Sequence, residues 1–188
     1  MFTISLLLGP RPGEAAGLRW DAVDLQGTPP TLTVQTSLRR TGGRILSIAD
    51  PKTPTSRRTL ALPPACVTAL HAQRERQATD LHVAGAAWVN PERLVFTTDL
   101  GTPLDPSNVR RALQLIATQA GLGHLHPHLL RHAAASLMSG AGDRLEDIAD
   151  TLGHRSVTVT ADIYRHPIAD TRTGHLQAMT ALTEIGEG

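Results

Sequence analysis

Histidines and an arginine crowd one short stretch of the chain, residues 124–132, which reads HLHPHLLRH. In a helix, His128 and His132 share one face four residues apart, and such a pair can bind a metal, as in HExxH zinc sites. His128 and Arg131, three residues apart, could instead hold a phosphate group. Leu129 stands where HExxH carries its glutamate base, and the chain has no cysteine cluster. The stretch therefore favours phosphate, with a metal-dependent hydrolase as the distant alternative.

Basic residues are unevenly distributed, although the formal net charge is only +1. Between Leu38 and Leu60, six basic residues stand against the single acid Asp50. Such a run is often the solvated face of a hairpin. Arginine, however, provides seventeen of the 18 basic residues, and its guanidinium pairs with phosphate in bidentate fashion. We therefore predict that arginines bind phosphate groups: Arg39, Arg40, Arg44, Arg57 and Arg58 in this stretch, and Arg110 and Arg111 further along the chain.

Length and composition indicate one compact domain. With 188 residues, 40% of them hydrophobic and 19% charged, the chain can bury one core. No apolar run approaches the ~20 residues of a membrane span, and the N-terminal ISLLLG lacks the features of a signal peptide. Cys66 is the single cysteine, which excludes an internal disulfide. We expect a cytoplasmic protein with no membrane contact and no redox chemistry.

The predicted elements are helix, then a small sheet, then helices, which indicates an α+β fold that is mainly α-helical. Near-alternating polarity predicts a three-stranded antiparallel meander near the N-terminal part: 31–36, 44–48 and 58–62. Apolar spacing and first-turn prolines predict helices: 2–8, 12–18, 64–78, one capped by Asp105, 127–137, 145–152, 157–165 and 169–183. The helix after Asp105 should bury one stripe: Val109, Leu113, Ile116 and Ala120. Asp143 with Glu146 should cap the helix that begins at Leu145.

Four segments, in this order and at this spacing, resemble the signature blocks of the tyrosine recombinase (phage integrase) catalytic domain. They are GPRPGEAAGLRWDAVDL (9–25), PKTPTSRRTLALP (51–63), HPHLLRH (126–132) and DTLGHRSVTVTADIY (150–164). One such block arises by chance in many proteins, whereas four in order form a strong signal. The resemblance implies that fold, together with an enzyme that cleaves and rejoins DNA strands at specific sites without metal or other cofactor. The phosphates that the arginines listed above are predicted to bind would then be those of DNA.

The resemblance also implies a role for six residues by their position. They are Arg11 and Arg131 as a phosphate clamp, Lys52 as the β-hairpin lysine, His128 and His154 as the histidines of the site, and Tyr164 as the nucleophile. Lys52 is the only lysine in the chain and Tyr164 the only tyrosine. Both stand where the family has its catalytic lysine and tyrosine, which strengthens the assignment.

These residue types suit phosphodiester transfer on chemical grounds as well. Charge gathers on the non-bridging oxygens in the transition state, where fixed guanidinium donors stabilise it. A tyrosine hydroxyl, with a free pKa of about 10, is a poor nucleophile unless cations lower its pKa or a base such as His128 takes its proton. The leaving 5′ oxygen needs a proton, which Lys52 can supply. The product would be a 3′-phosphotyrosine that stores the bond energy for religation.

The resemblance further implies partners and a domain arrangement. We expect residues 1–188 to be the catalytic domain, without the N-terminal core-binding domain usual in the family and with a tail helix within 169–188. The expected partners are double-stranded DNA at recombination sites, further copies of the chain in a tetramer that assembles on DNA from monomers, and an accessory directionality factor. The alternative is a catalytically weak DNA-binding remnant of an integrase, which covalent trapping would distinguish.

Overall fold

The computed structural model describes residues 1–41, 45–49 and 57–153. The helices in these ranges are α1 (Phe2–Leu8), α2 (Pro12–Ala16), α3 (Pro64–Ala84), α4 (Pro106–Gln119), α5 (Pro127–Gly140) and α6 (Leu145–Leu152). The strands are β1 (Val23–Asp24), β2 (Thr31–Val34), β3 (Ser37–Thr41), β4 (Ile45–Ala49) and β5 (Arg58–Ala61). This is the mainly helical α+β composition that the sequence predicts. None of the helices in these ranges is long and apolar enough to cross a membrane.

The strands form a three-stranded antiparallel sheet and a separate hairpin. The sheet has the order β1-β2-β5, and Leu32 of β2 pairs with Leu60 of β5. Among the described strands, β3 and β4 pair with each other and not with the sheet. The predicted meander is therefore wrong in its pairing, because its first and third strands are direct neighbours and its middle strand belongs to the hairpin. Alternating polarity predicts that a segment is a strand, but it does not determine which strand is its partner.

The hairpin packs against α2 and its C-cap through two glycines. A Cβ at Gly13 would lie 2.7 Å from the carbonyl oxygen of Leu38, and one at Gly17 would lie 2.7 Å from its backbone nitrogen. Only residues without a side chain allow this approach. Leu38 itself is buried. The contact fixes β3 beside the residues that follow Arg11.

The core lies between α1, α3 and the sheet. Its buried members are Ile4, Leu8, Leu18, Ala22, Leu32, Val34, Leu60, Leu62, Cys66, Leu70, Val95 and Phe96. Cys66 is buried as predicted, and burial raises the pKa of its thiol to about 11. A smaller cluster of Ala135, Ile148 and Leu152 joins α5 to α6. Because α1 also packs on α5, the two ends of the described chain meet there.

Proline stands in the first turn of α2, α3, α4 and α5, as predicted. Backbone N–H groups in the first turn make no hydrogen bond within the helix, so proline, which lacks this group, costs no bond there. The side chain of Asp105 caps α4 by accepting from the backbone N–H of Ser107.

Two details of the helices were predicted wrongly. On α4 the buried stripe continues through Ala117, while Ile116 is exposed. The residue that caps α6 is Arg144, without a side-chain capping bond. The predicted helices at 157–165 and 169–183 lie outside the described residues.

Gly9, which ends α1, should tolerate no larger residue. Its φ is +62°, and a Cβ there would overlap Cδ2 of Leu152 and lie 3.0 Å from Cβ of Ala134. Gly9→Ala should therefore lower the free energy of unfolding by about 3 kcal/mol, because backbone strain adds to overpacking. Gly121→Ala is the matched control, since Gly121 has φ +67° and no atom within 4 Å of a Cβ.

The control should cost only the backbone term, about 1 kcal/mol. Urea denaturation of both variants and the unsubstituted chain measures the difference. Equal losses in the two variants would show that α1, α5 and α6 are not packed as tightly as described.

Candidate active site: arginines at the end of helix α6

Arg131 is a buried cation on the inner face of α5. Its neighbours on that face are the buried residues Leu130, Ala134 and Ala135, and Arg131 itself is only 8% exposed. One Nη donates to the carbonyl oxygen of Gly9 at 2.5 Å and the other to that of Leu152 at 2.6 Å. Burial first, and then the charges of Arg11 and Arg58, lower the pKa of Arg131 to about 10. The side chain is thus still cationic at neutral pH and is held at both ends of its guanidinium.

Arg11, from the N-terminal part of the chain, also contacts the end of α6. It is the N-cap of α2, and its backbone N–H donates to the carboxylate of Glu14 at 2.9 Å. Its Nη1 donates to the other oxygen of Glu14 at 2.9 Å, and its Nη2 to the carbonyl oxygen of Gly153 at 3.1 Å. The side chain is 42% exposed. Arg11 is therefore the most exposed of the arginines Arg11, Arg58 and Arg131.

Glu14 and Arg58 form a buried ion pair behind Arg11. Nη2 of Arg58 donates to Glu14 at 2.9 Å, and the two side chains are 7% exposed for Arg58 and 5% for Glu14. Nε of Arg58 donates to the carbonyl oxygen of Thr151 at 2.6 Å. Burial acts to raise the pKa of Glu14, but hydrogen bonds and charge from Arg58, together with hydrogen bonds from Arg11, outweigh it and hold that pKa below its usual value. Glu14 is therefore ionised at neutral pH.

Three arginines thus bind three successive carbonyls at the end of α6. Arg58 takes the carbonyl of Thr151, Arg131 that of Leu152 and Arg11 that of Gly153. The last carbonyls of a helix have no partner within it and carry the negative end of its dipole, so they attract cations. Gly153 ends the helix with φ +68°. The main chain, as much as any side chain, assembles this cluster.

The histidines of the opening stretch lie at the surface of α5. His128 and His132 are both exposed. Burial of part of the ring lowers the pKa of His132, and the charges of His128, His126 and Arg131 lower it further. Within the described ranges, no three residues among His, Cys, Asp and Glu are grouped as metal ligands. The geometry there gives no support to the metal alternative.

The other predicted DNA-contacting arginines occupy varied positions. Arg57 is exposed and donates to Gln35 at 3.3 Å, whereas Arg58, next to it on the strand, faces inward. Arg40 is exposed and pairs with the helix cap Asp105. Arg39 is half-buried, and Arg110 and Arg111 are exposed on α4. Four predicted site residues lie outside the described residues: Arg44, Lys52, His154 and Tyr164.

Sequence reasoning missed Glu14 as a member of the site. A signal was present, because Glu14 is the third residue after Arg11, the position from which a glutamate bonds back to the N-cap backbone. What could not be read was its second partner, Arg58, which lies 44 residues further along. The site therefore contains a buried carboxylate whose task is to hold arginines.

The fold places two buried arginines, Arg58 and Arg131, beside the exposed guanidinium of Arg11, and such a group of guanidinium donors suits an anion such as phosphate. A family described as the phage integrase family matches residues 1–170, so the chain belongs to that family. The family predicted from the four sequence blocks is thereby confirmed.

Two curated relatives show how much of a family member this chain represents. An integrase of Streptomyces ambofaciens is 39% identical over an alignment of 175 positions, gaps included, which covers 88% of this chain and 43% of that protein. A XerC-like tyrosine recombinase of Caldanaerobacter subterraneus subsp. tengcongensis is 30% identical over an alignment of 192 positions, gaps included, which covers 97% of this chain and 49% of that protein. The chain spans about half the length of these relatives.

Solved structures share the fold at low sequence identity. The Tn1549 transposon integrase, in complex with transposon right end DNA, has a TM-score of 0.73 and 19% identity over 98% of this chain and 57% of that one. The XerA recombinase has a TM-score of 0.64 and 23% identity, over 97% of this chain and 52% of that one. The predicted tyrosine recombinase catalytic-domain fold is confirmed.

Proposed function

We propose that the chain is the catalytic part of a site-specific DNA recombinase, or integrase, which cleaves and rejoins DNA strands through a 3′-phosphotyrosine intermediate. The observation that carries this proposal is the convergence of Arg11 and Arg131. Arginines from the two ends of the described chain bind adjacent carbonyls, those of Gly153 and Leu152. Family membership supplies the reaction class, and the cationic cluster supplies the electrostatics that this reaction needs.

In the proposed reaction, Arg11 and Arg131 bind the non-bridging oxygens of the scissile phosphate. Their donors stabilise the charge that develops there in the transition state. The Tyr164 hydroxyl attacks phosphorus while His128 accepts its proton, and the bond from phosphorus to the 5′ oxygen breaks. Lys52 protonates that oxygen. Religation is the reverse, with the 5′ hydroxyl as attacking group, so neither metal nor nucleotide cofactor takes part.

His154 joins this site through its place in the chain. It directly follows Gly153, whose carbonyl oxygen accepts from Arg11. We propose that His154 donates to the same phosphate. The Glu14 carboxylate keeps the cluster in place without touching DNA, because it is buried and both its oxygens already accept from arginines.

The proposed partner is double-stranded DNA, in the cytoplasm, at recombination sites. The exposed arginines Arg40, Arg57, Arg110 and Arg111 would contact its phosphates outside the scissile position. We assign the same role to Arg39 on β3 and to Arg44. Such contacts position DNA without reading its sequence, and they make affinity depend on salt. An accessory directionality factor, which would favour excision over integration, is a further proposed partner.

Covalent capture tests the proposed function whatever the target sequence is. The full chain is incubated with nicked duplexes of randomised sequence, in which loss of a short fragment prevents religation. The mixture is then denatured, and DNA that stays attached to protein is sequenced. Recovery of one related set of sequences supports the proposal. Duplex binding with no adduct, from this pool or from any later one, would favour the DNA-binding remnant instead.

We also propose that the chain is a monomer in solution and forms a tetramer only on paired DNA sites. The basis is the tail, where Leu176, Met179 and Leu182 recur at three-residue spacing after Pro167 and would give a helix one apolar stripe. Docking this helix on a neighbouring copy would bury a small interface, with an area at the low end of those found in specific protein–protein complexes. Assembly therefore needs DNA to hold the copies together.

Truncation after Pro167 should abolish the higher-order complex and leave single-site DNA affinity within about threefold, because phosphate contacts elsewhere are kept. Sedimentation of the full and truncated chains, with and without DNA, measures both. Equal assembly by the two chains would exclude the tail as the connector, and loss of folding on truncation would mean that the stripe packs within its own domain.

A further inference from the structure

Arg58 and the adjacent Arg57 differ in their exposure to solvent. Along β5 and into the preceding residue, side chains alternate between the two faces of the sheet, and Arg57 is exposed whereas the Arg58 side chain is only 7% exposed. The guanidinium of Arg58 therefore lies against protein groups, whereas Arg57 is open to solvent. The donors of Arg58 are directed at protein acceptors, the Glu14 carboxylate and the carbonyl of Thr151.

The contacts of Arg58 join three separate elements. It stands on β5, bonds Glu14 on α2, and bonds the last turn of α6. Its guanidinium also packs closely on the end of that helix, because a Cβ at Gly153 would lie 2.8 Å from Nη1 of Arg58. Burying such a pair costs desolvation that a well-packed apolar pair avoids. Stability alone therefore does not account for its presence, but fixing a geometry does.

Arg58 and Arg11 share one carboxylate. One oxygen of Glu14 accepts from Nη2 of Arg58, and the other accepts from Nη1 of Arg11. The oxygen that faces Arg58 also accepts from the backbone N–H of Arg11. Any turn of the carboxylate would move the guanidinium of Arg11, the exposed end of the cluster. Arg58 therefore controls the orientation of Arg11 from a distance.

We propose that Arg58 is a positioning residue for the phosphate clamp. By holding Glu14 on one side and the carbonyl of Thr151 on the other, it fixes the Arg11 guanidinium in relation to the end of α6 and so to the scissile phosphate. This inference rests on the proposed function and deepens it. It also moves Arg58 from the predicted group of DNA-contacting arginines to a role behind the clamp.

The test compares Arg58→Met with the unsubstituted chain on duplexes recovered by covalent capture. At saturating DNA, Arg58→Met should form the adduct on the order of 10-fold to 100-fold more slowly, because a small displacement of a clamp donor is costly in the transition state. Its DNA affinity should stay within about threefold, since other phosphate contacts hold the complex. A wild-type rate combined with weakened binding would overturn the proposal and return Arg58 to the DNA-contacting group.

Two further variants serve as references. Arg144→Met removes the same charge from a 76% exposed side chain at the start of α6, and it should change neither quantity. Arg57→Met should lose mainly affinity. If Arg58→Met does not fold, Arg58→Lys replaces it, because lysine keeps the charge but lacks the planar fork that bonds two acceptors at once. Arg58→Lys cutting at the wild-type rate would also overturn the proposal.

A double variant checks the route through Glu14. Glu14→Gln with Arg58→Met should be no more than about threefold slower than the worse single variant, because both act on the orientation of Arg11. Multiplied effects would mean that the two residues act separately, and the proposed route would be wrong.

A measurement without DNA separates this inference from the proposed function. In ¹⁵N NMR spectra, rotation of the Arg11 guanidinium should be slow in the unsubstituted chain and faster in Arg58→Met, while Arg144→Met should leave it unchanged. Failure of the full chain to form any adduct would defeat the proposed function alone. Unchanged rotation in Arg58→Met would defeat the positioning role, whatever the chain does to DNA.

Discussion

The Tyr164→Phe protein is expected to bind DNA as the unsubstituted chain does and to form no covalent adduct with it. Phenylalanine keeps the ring but has no oxygen to bond to phosphorus, so the reaction loses its nucleophile entirely. The chain contains no second tyrosine to take over. Gel separation after denaturation, with nicked duplexes recovered by covalent capture, measures the adduct, and a filter-binding titration measures affinity.

The control for this experiment is retention of DNA binding, which shows that the variant is folded. An adduct that persists in Tyr164→Phe at more than trace level would mean that another side chain attacks the DNA. In that event the linked peptide, identified after digestion, would name it. Loss of the adduct together with loss of binding would instead point to a structural role for the tyrosine.

Arg131→Lys should cut DNA on the order of 100-fold more slowly at saturation, the effect of losing one donor that acts in the transition state. Lysine preserves the positive charge, but an ammonium cannot replace a fork that is held by the carbonyls of Gly9 and Leu152. Affinity should change only a few-fold, because many phosphate contacts remain. Alanine is a poorer choice here, since it would leave two buried carbonyls without a donor and so destabilise the fold.

Arg11→Ala should show the same loss of rate with less effect on stability, because Arg11 is far more exposed than Arg131. Arg144→Lys is the matched control for Arg131→Lys, an equal substitution on an exposed arginine outside the cluster. Single-turnover cleavage rates and binding isotherms measure all three variants. A variant of Arg131 that binds a hundredfold worse and, once saturated, cuts normally would show that the arginine only positions DNA.

The sequence was most informative where local chemistry decides the structure. Proline at the first turn predicted where α2, α3, α4 and α5 begin. Local patterns were less informative about which segments pair across the chain. β2 pairs with β5, although both strands of the hairpin lie between them in the sequence. The alternating polarity of β2 or β5 does not indicate which strand it pairs with. That is why the predicted meander had the right strands and the wrong neighbours.

The candidate site also contains residues that local motifs predict and residues that they do not. Arg11 and Arg131 were predicted from short motifs, and the structure brings them together. The inward position of Arg58 was not predicted, because a pair of adjacent arginines on a strand gives no sign of which one faces the core. The acceptors of these arginines escaped prediction for a different reason. Most are backbone carbonyls, which every residue possesses and which therefore leave no trace in the identity of the side chains.

The carbonyls at the end of α6 determine which kinds of genetic change this site can survive. Substitutions at Thr151 or Leu152 leave the main-chain oxygens where they are, so point mutation alone cannot delete the acceptors of the three arginines. A deletion or insertion of one codon within α6 is different, because each residue turns the helix by about 100°. All three oxygens would then rotate away from their guanidinium partners together. A change of side chain at Thr151 therefore keeps all three acceptors, whereas a change in the length of α6 does not.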